Sequence, residues 1–382
     1  MKNKHEKFLI INRTFWSDND VIGEALLLLA EKTAKNVNTF VICLSADNLK
    51  QKLFNDSRGL GIQFKVMKAL TNSSSGLLFR VMESFLFTSW TLIYLLRIRP
   101  NKIYFSTDPP LMIPFIIFLY SKFFTCKYFY HLQDIHPEVT KSIVKINNII
   151  YRLLIFLDNL TISGAEKIIT LSEEMKDHII KRSNTTTPIE LISNCAIQHP
   201  SSKHILKENE FIFCGNLGRF QLIPLLAESI SEYINLGGIL KFTFIGAGIN
   251  SSLIKELAEN NKSVTYLGKL PSIEASKYLA KKQWAILSIE DEITNYAFPS
   301  KTSSYVINDC KIFAICGENT SINKFINRLD LGIVSKPSIT EIVENLFKIE
   351  NNALEHKSIP IDYKKELTVD YFVNKIIETV DP

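Results

Sequence analysis

Two α/β domains, each a doubly wound parallel sheet, are predicted by three features of the 382-residue chain. Short apolar runs alternate with longer amphipathic ones. The short runs are continuously apolar, as strands covered on both faces require. The alternation is written twice, separated by a polar stretch from Ser193 to Asn209 that contains Pro200, Ser201 and Ser202. A chain of this length has room for two domains of common size. The expected boundaries are 1–195, 210–365, and a C-terminal helix within 366–382 that packs back on the first domain.

Each element has a local reason. Phe8–Asn12 is the first apolar run, after the polar, basic Met1–Lys7, and it is too short for a signal-peptide core. Thr39–Leu44, Gln63–Met67, Lys102–Ser106, Tyr128–His131, Lys167–Leu171 and Ile189–Ile192 follow as strands rich in β-branched and aromatic residues. Helical periodicity lies between them at about 21–34, 77–97, 111–123, 149–160 and 173–182. The second domain restarts with strands Phe211–Cys214, Lys241–Ile245, Val264–Leu267, Ala285–Ile289, Ile312–Ile315 and Gly332–Val334. Its helices fall at about 222–236, 251–260, 273–280, 301–309, 321–328 and 339–348, and the tail is a helix near 370–380. Such sheets bind ligands at the carboxyl ends of their strands, and two of them leave a cleft between domains.

Composition narrows the function classes. The hydrophobic fraction of 46% allows large cores. Six scattered cysteines with no C-x-x-C pair argue against a zinc ribbon and for a reducing compartment. No uncharged stretch reaches the roughly 20 residues a spanning helix needs, so the expected location is the cytoplasm. Residues 1–200 carry 24 Lys and Arg against 17 Asp and Glu, whereas residues 201–382 carry 20 against 22. The basic half is expected to meet something anionic. Its cations are interleaved with the apolar helices at 77–97 and 111–124, and no nucleic-acid motif is present. The expected partner is therefore an anionic membrane surface, with the protein peripheral on the inner face of the cell membrane, and not nucleic acid.

The strand ends carry the chemistry. Phe298-Pro299-Ser300-Lys301-Thr302-Ser303 closes a polar loop and opens a helix, with Pro299 pre-set for a first turn. Helix-start amides, the hydroxyls of Ser300 and Thr302, and the Lys301 cation suit a phosphate. Phe211–Cys214 runs into Gly215-Asn216-Leu217-Gly218-Arg219, where glycines admit a ligand and Arg219 can hold a diphosphate. Gly246-Ala247-Gly248 and Gly268 follow the next two strands. In the first half, Tyr128–His131 exits into Leu132-Gln133-Asp134-Ile135-His136-Pro137-Glu138, the densest titratable cluster in the chain. Its spacing matches no standard zinc signature, so no metal is expected. A site wall formed by His131, Asp134, His136 and Glu138 is expected, with Arg13 and the Trp16–Gly23 loop beside it.

Four of these segments resemble, in order, motifs of a glycosyltransferase class. Ser106-Thr107-Asp108-Pro109-Pro110-Leu111 resembles S-x-P-P-L, and Gln133-Asp134-Ile135-His136-Pro137-Glu138 resembles Q-D-L-W-P-E. Cys214-Gly215-Asn216-Leu217-Gly218-Arg219 resembles S-G-N-I-G-R, and Phe298-Pro299-Ser300-Lys301 resembles P-S-K. The chain is thereby similar to the GT-B glycosyltransferases of family 4, in the branch that builds bacterial O-antigen, capsule and exopolysaccharide. The resemblance implies two Rossmann-like domains facing a central cleft. It implies transfer from a nucleotide-diphosphate sugar, with UDP as the expected nucleotide, to a polyprenyl-diphosphate-linked or oligosaccharide acceptor. Transfer would retain the anomeric configuration and need no cofactor or metal. Gly218, Arg219, Gly246, Gly248, Gly268, Ser300, Lys301 and Thr302 would bind the donor. His131 and Asp134 would act on the transferred sugar. Arg13, Gly23, His136 and Glu138 would line the acceptor side.

The sequence also departs from that pattern. The two family glutamates fall at Tyr296 and Ser304, neither acidic, and the lysine expected soon after Arg219 is missing from Phe220–Pro224. Ser304 keeps the ribose position, and Glu318 is the alternative ribose ligand. The departures leave two other readings open: an inactive subunit that supports a partner transferase, and a sugar-nucleotide epimerase of the same fold.

Overall fold

The computed structural model describes residues 3–71, 75–198, 206–351, 359 and 361–382, with the side chains of residues 3–5 and 77 set aside. Pro200, Ser201 and Ser202 of the expected linker lie outside the described residues. The chain forms two compact units, residues 1–193 with 369–382, and residues 194–368.

Unit 1 runs β1 (Asn3–Ile11), α1 (Ile22–Thr33), β2 (Val37–Ser45), α2 (Leu49–Asn55), β3 (Gln63–Lys68), α3 (Leu77–Ile98), β4 (Lys102–Ser106), α4 (Met112–Phe123), β5 (Lys127–His131), α5 (Glu138–Ile143), α6 (Asn148–Gly164), β6 (Lys167–Thr170), α7 (Glu173–Ser183) and β7 (Ile189–Leu191). Its seven strands are parallel in the order β3-β2-β1-β4-β5-β6-β7. The strand order reverses between β1 and β4, where a doubly wound sheet opens its ligand crevice.

Unit 2 runs β8 (Glu208–Cys214), α8 (Ile223–Asn235), β9 (Phe242–Ile245), α9 (Ser251–Asn260), β10 (Val264–Tyr266), α10 (Ser272–Lys281), β11 (Lys282–Ser288), α11 (Lys301–Ile307), β12 (Lys311–Ile315), α12 (Ser321–Leu329), β13 (Gly332–Ser335), α13 (Ile339–Glu350) and α14 (Ile361–Glu366). Its order β10-β9-β8-β11-β12-β13 repeats the same plan, with the reversal between β8 and β11. Alternating side chains of β8 reach opposite faces. Phe211 and Phe213 join the core under α8, α9 and α13, while Ile212 joins the core under α10, α11 and α12. Both faces are thus dry, which explains why the strands read as continuously apolar.

The chain then returns to unit 1 as α15 (Val369–Val380), which packs on α1 and places Phe372 against His131. Three short helices, α2, α5 and α14, were not expected from periodicity. The helix expected at 301–309 ends at Ile307.

Helix α3 has a narrow buried stripe of Glu83, Phe87, Thr91, Leu95 and Ile98. Much of the rest of its surface is exposed and apolar, including Leu78, Phe79, Met82 and Phe85, with the exposed cations Arg80 and Arg97 among them. Leu78–Ile98 is long and apolar enough to cross a membrane by length and composition, although Arg80, Glu83 and Arg97 interrupt it, so no uncharged stretch of that length is present there.

Candidate functional site

In unit 2 the turns that leave β8, β9 and β11 build a crevice at the strand reversal. The β8 turn packs on the β9 turn backbone to backbone, Leu217 N–H donating to Ala247 O (3.0 Å), and the β9 turn packs on the turn after β10, Gly246 N–H donating to Gly268 O (2.8 Å). Gly246 has φ +142, and a Cβ there would lie 1.8 Å from Gly215 O. Gly248 likewise abuts Leu217 O. These two glycines serve the packing of protein turns, a structural duty the sequence reading did not separate from ligand approach. Gly218 is buried and its carbonyl accepts from Asn250 Nδ2 (2.9 Å), while Gly268 takes φ +68 in open space.

Helix α11 is fixed to this crevice by Tyr305. Its hydroxyl accepts from Cys214 N–H (3.0 Å) and lies within reach of the carbonyls of Cys214 (3.2 Å), at the end of β8, and Ile286 (3.1 Å), within β11. That anchorage sends Lys301 over the Phe213 ring, with Nζ 4.0 Å from its centroid. Gly215, at φ +146, has its Cα hydrogen side toward the lysine: a Cβ built there would be 3.8 Å from Nζ. The Nζ atom is buried and has no hydrogen-bond partner. Burial lowers its pKa to about 7, which the neighbouring Cys214 partly opposes. Two more buried polar atoms lack partners here, Thr302 Oγ1 and Gln221 Oε1.

Arg219 is exposed on the single turn Arg219–Gln221, without a partner among the described residues. Ser300 is exposed, and its side chain caps nothing, contrary to a hydroxyl N-cap. Ser304 is part-buried and its carbonyl accepts from Asn308 Nδ2 (2.9 Å). Glu318 lies on the turn after β12, paired with Lys336 at 2.7 Å. It borders a pocket of about 310 Å³ lined by Asp291, Glu292, Thr294 and Asn295.

In unit 1 the reversal is built by the exits of β1 and β4. Asp108 accepts from Thr14 N–H (3.0 Å) and Thr14 Oγ1 (2.6 Å). Its carbonyl takes Arg13 N–H (2.7 Å). Asp134 N–H donates to Thr107 Oγ1 (3.3 Å), which brings the Asp134 carboxyl to the same place. Burial, then the charge of Asp108, raises the pKa of Asp134 to about 6. The influence of Asp108 on Asp134 is not foreseen in the sequence, although both stand in the quoted motifs.

Three expected wall residues are turned elsewhere. His131 is 0% exposed, shares a 2.6 Å hydrogen bond with Tyr104 Oη through Nδ1, and packs on Phe372. Burial lowers its pKa to about 3, so it is a neutral core residue and its side chain offers no surface to a sugar. Glu138 is 5% exposed and accepts from Arg182 Nη1 (2.9 Å) and His178 Nε2 (3.0 Å), while Arg182 also binds Asp158. It belongs to a buried ion network and not to a wall. Arg13 binds Glu83 Oε2 at 2.9 Å and Thr71 Oγ1 at 3.3 Å. His136, part-buried, bonds Thr140 Oγ1 (2.7 Å). Gly23 lets α1 pass close to the Phe15–Trp16 backbone, where a Cβ would meet atoms at 2.8 Å. Among the described residues no group of three or more His, Cys, Asp or Glu side chains is arranged to hold a metal ion.

No family model matches the chain. A curated relative from Pseudomonas aeruginosa, called probable glycosyltransferase WbjE, is 23% identical over 275 residues, 67% of this chain and 68% of its own. Three solved structures share the fold at low identity. The sucrose-phosphate synthase of Thermosynechococcus elongatus superposes with TM-score 0.69 at 11% identity, covering 98% of both chains. WaaG, a glycosyltransferase involved in lipopolysaccharide biosynthesis, gives 0.61 at 11%, covering 98% of this chain and 99% of its own. The UDP-GlcNAc 2-epimerase of Methanocaldococcus jannaschii gives 0.59 at 12%, with the same coverage. The chain shares the GT-B fold with these enzymes and is similar in sequence to a curated probable glycosyltransferase. Its two Rossmann-like units are those of the GT-B fold, and the two crevices above are where that fold leaves its strand ends open.

Proposed function

We propose that this GT-B protein is a glycosyltransferase that moves a sugar from a nucleoside-diphosphate donor, UDP-linked, to a lipid-linked or oligosaccharide acceptor of bacterial surface polysaccharide, with retention. One observation carries the donor reading. Lys301 Nζ is buried at the strand reversal of unit 2, over the Phe213 ring and without a hydrogen-bond partner. An unpaired buried cation is costly, and a ligand anion relieves that cost. A diphosphate there would take Lys301 on one side and the free Arg219 fork on the other, with Thr302 Oγ1 as an added donor. The same cations would hold the negative charge that develops on the departing diphosphate. Asp134 is the group on unit 1 we assign to the sugar and acceptor side, since its part-buried carboxyl is not tied into an ion pair.

The lipid-side reading rests on unit 1. The carboxylates of α3 and α6, Glu83 and Asp158, are both buried. The exposed charges on α3, α4 and α6 are the cations Arg80, Arg97, Lys122 and Arg152. Around them stand exposed apolar side chains such as Phe79, Phe85, Phe123, Ile149 and Phe156. Apolar side chains flanked by cations suit the interface of an anionic bilayer, with α3 lying in the plane because its buried stripe stays on the unit.

A thermal-shift panel of nucleoside diphosphates, run on the wild type and on the Arg219→Ala/Lys301→Ala pair, tests the donor site. A nucleotide-specific shift that the double variant abolishes supports it; an equal shift in both refutes it. The epimerase neighbour keeps one rival. Conversion of a free sugar nucleotide to its epimer, with no acceptor present, would replace transfer by epimerisation.

A further inference from the structure

A second pocket lies in unit 1, at the carboxyl ends of β2 and β3. A pocket of about 440 Å³ opens there, lined by Ser45, Asp47, Asn48, Lys50, Val66 and Lys68. Its size is that of a small-ligand site. Ser45, 2% exposed, contributes an Oγ that is buried and has no hydrogen-bond partner. Lys50 and Lys68 are exposed on two sides of the pocket and have no partner among the described residues. The carboxylate in the lining, Asp47, is already matched by Lys52 at 2.5 Å. Nearby Asp18 takes Ala46 N–H. The uncommitted groups are therefore two ammoniums and a hydroxyl, a set that suits a phosphate oxygen cluster.

The position of this pocket adds to its chemistry. Ala69 N–H donates to Ser45 O (2.9 Å), which ties the two strand exits together. The next two residues, Leu70 and Thr71, donate their N–H groups to Glu83 of α3 at 2.6 and 2.8 Å. Lys68 stands two residues from Leu70, about 7 Å along an extended chain. The pocket thus sits at the root of the exposed apolar helix. We propose that it holds the phosphate group of a lipid-carried acceptor, with the lipid chain running along α3. This rests on the transferase reading above and names the acceptor's chemical class.

The test uses the full chain with saturating nucleoside diphosphate present, so that the Lys301 site is filled. Farnesyl diphosphate is titrated against wild type and the Lys50→Ala/Lys68→Ala variant, with inorganic pyrophosphate and farnesol as controls. Wild type is expected to bind farnesyl diphosphate and the variant to bind it at least about tenfold more weakly, as loss of charged hydrogen bonds implies. The Lys50→Arg/Lys68→Arg pair should restore binding. Farnesol should not bind at this pocket. Pyrophosphate binding as tightly as farnesyl diphosphate would assign the pocket to free phosphate and overturn the lipid-carried acceptor. Equal farnesyl diphosphate affinity in wild type and the alanine variant, or none in wild type, would overturn the pocket assignment. In either case a retained nucleotide-induced thermal shift leaves the donor reading standing, whereas its loss in wild type refutes that reading instead.

Discussion

Arg13 Nη2 lies 2.9 Å from Glu83 Oε2, joining the turn after β1 to the apolar helix α3. Glu83 also takes the N–H groups of Leu70 and Thr71 and the hydroxyl of Thr71 (2.7 Å). One buried carboxylate thus clamps the strand exit, the site turn and the exposed apolar helix. Arg13 serves this clamp, so a contact with acceptor is not its main duty.

Breaking the clamp should cost stability. Burial alone would raise the Glu83 pKa, but hydrogen bonds from Thr71 and Leu70 and the Arg13 charge hold it below the usual carboxylate range. Glu83→Ala should lower unfolding free energy by about 2–4 kcal/mol, because buried donors lose their acceptor. Arg13→Ala should cost less, since its side chain is 34% exposed. A depressed acid stabilises the fold above its unfolded pKa and loses that effect as pH falls through its folded value. Denaturation curves from pH 7 down to 3 should therefore converge for wild type and Glu83→Gln at the acid end. Parallel curves would mean the carboxylate charge does not matter.

Lys301 should link donor binding to protons. Free, its pKa is lowered to about 7 by burial. An anion seated beside it raises that value. Binding then takes up a proton at pH 8, and affinity falls as pH rises past 7. Titration calorimetry in two buffers of different ionisation heat should show the uptake in wild type. Lys301→Ala should abolish the uptake and weaken the nucleotide by roughly 2–5 kcal/mol. Lys301→Arg should keep affinity level across pH 7–9. Nucleotide binding without proton uptake at pH 8 would place the diphosphate away from Lys301.

Asp134 should shape the pH–rate profile. Its carboxyl, raised to about 6 by burial and by Asp108, is ionised only above that pH. If the ionised form is the working one, kcat/KM should rise through pH 6 and level off. Asp134→Asn should lower turnover, remove that limb and leave nucleotide affinity within a factor of about three, less than a single lost hydrogen bond typically costs. An unchanged limb in the variant would assign it to another group.

Much of the fold was legible because it rests on local pattern. Phe211, Ile212 and Phe213 are all apolar, and both sheet faces are indeed covered. The strand order reversals place the quoted turns where the motifs suggested. The site was less legible because side-chain partners lie far off in sequence. His131 reads as a strand-end ligand until Phe372, from α15, closes over it. Glu138 reads as a wall residue until Arg182 and His178 arrive on α7. Gln221 and Phe213 carry no motif, yet one leaves an unpaired oxygen and the other lies under the Lys301 ammonium. The short helices α2 and α5 span 7 and 6 residues, too little for a helical period to stand out.

His131 gives a fourth expectation, opposite to that of a catalytic group. Its imidazole is neutral and enclosed, so removing it should act on stability. His131→Ala should cost about 2–4 kcal/mol through the void and the lost hydrogen bond to Tyr104. Turnover per folded molecule should change little. The unfolded chain takes up a proton below its ordinary pKa of about 6.5, whereas the buried ring does not, so wild-type stability falls with acidity there. A well-folded His131→Gln protein with turnover down a thousandfold would return the imidazole to the chemistry.

Membrane docking is the fifth expectation, and it can be separated into its two physical parts. The exposed cations Arg80, Arg97, Lys122 and Arg152 should each add about 1 kcal/mol of attraction to anionic headgroups at low salt, and less as salt screens them. The apolar side chains should add a part that salt does not remove. Flotation with vesicles containing anionic lipid should therefore be strong at low salt and partial at high salt. Neutral vesicles should capture less protein. Phe79, Phe85 and Phe156 are 65%, 56% and 57% exposed, so replacing all three with Ser should leave folding intact. Each phenylalanine that enters the interface contributes up to about 2 kcal/mol, so the triple variant should lose more than tenfold in partitioning at high salt. Substituting the four cations should instead remove the low-salt advantage. Failure of the wild type to float at either salt would mean that α3, α4 and α6 meet another partner, and the lipid side of the proposed function would fall with it.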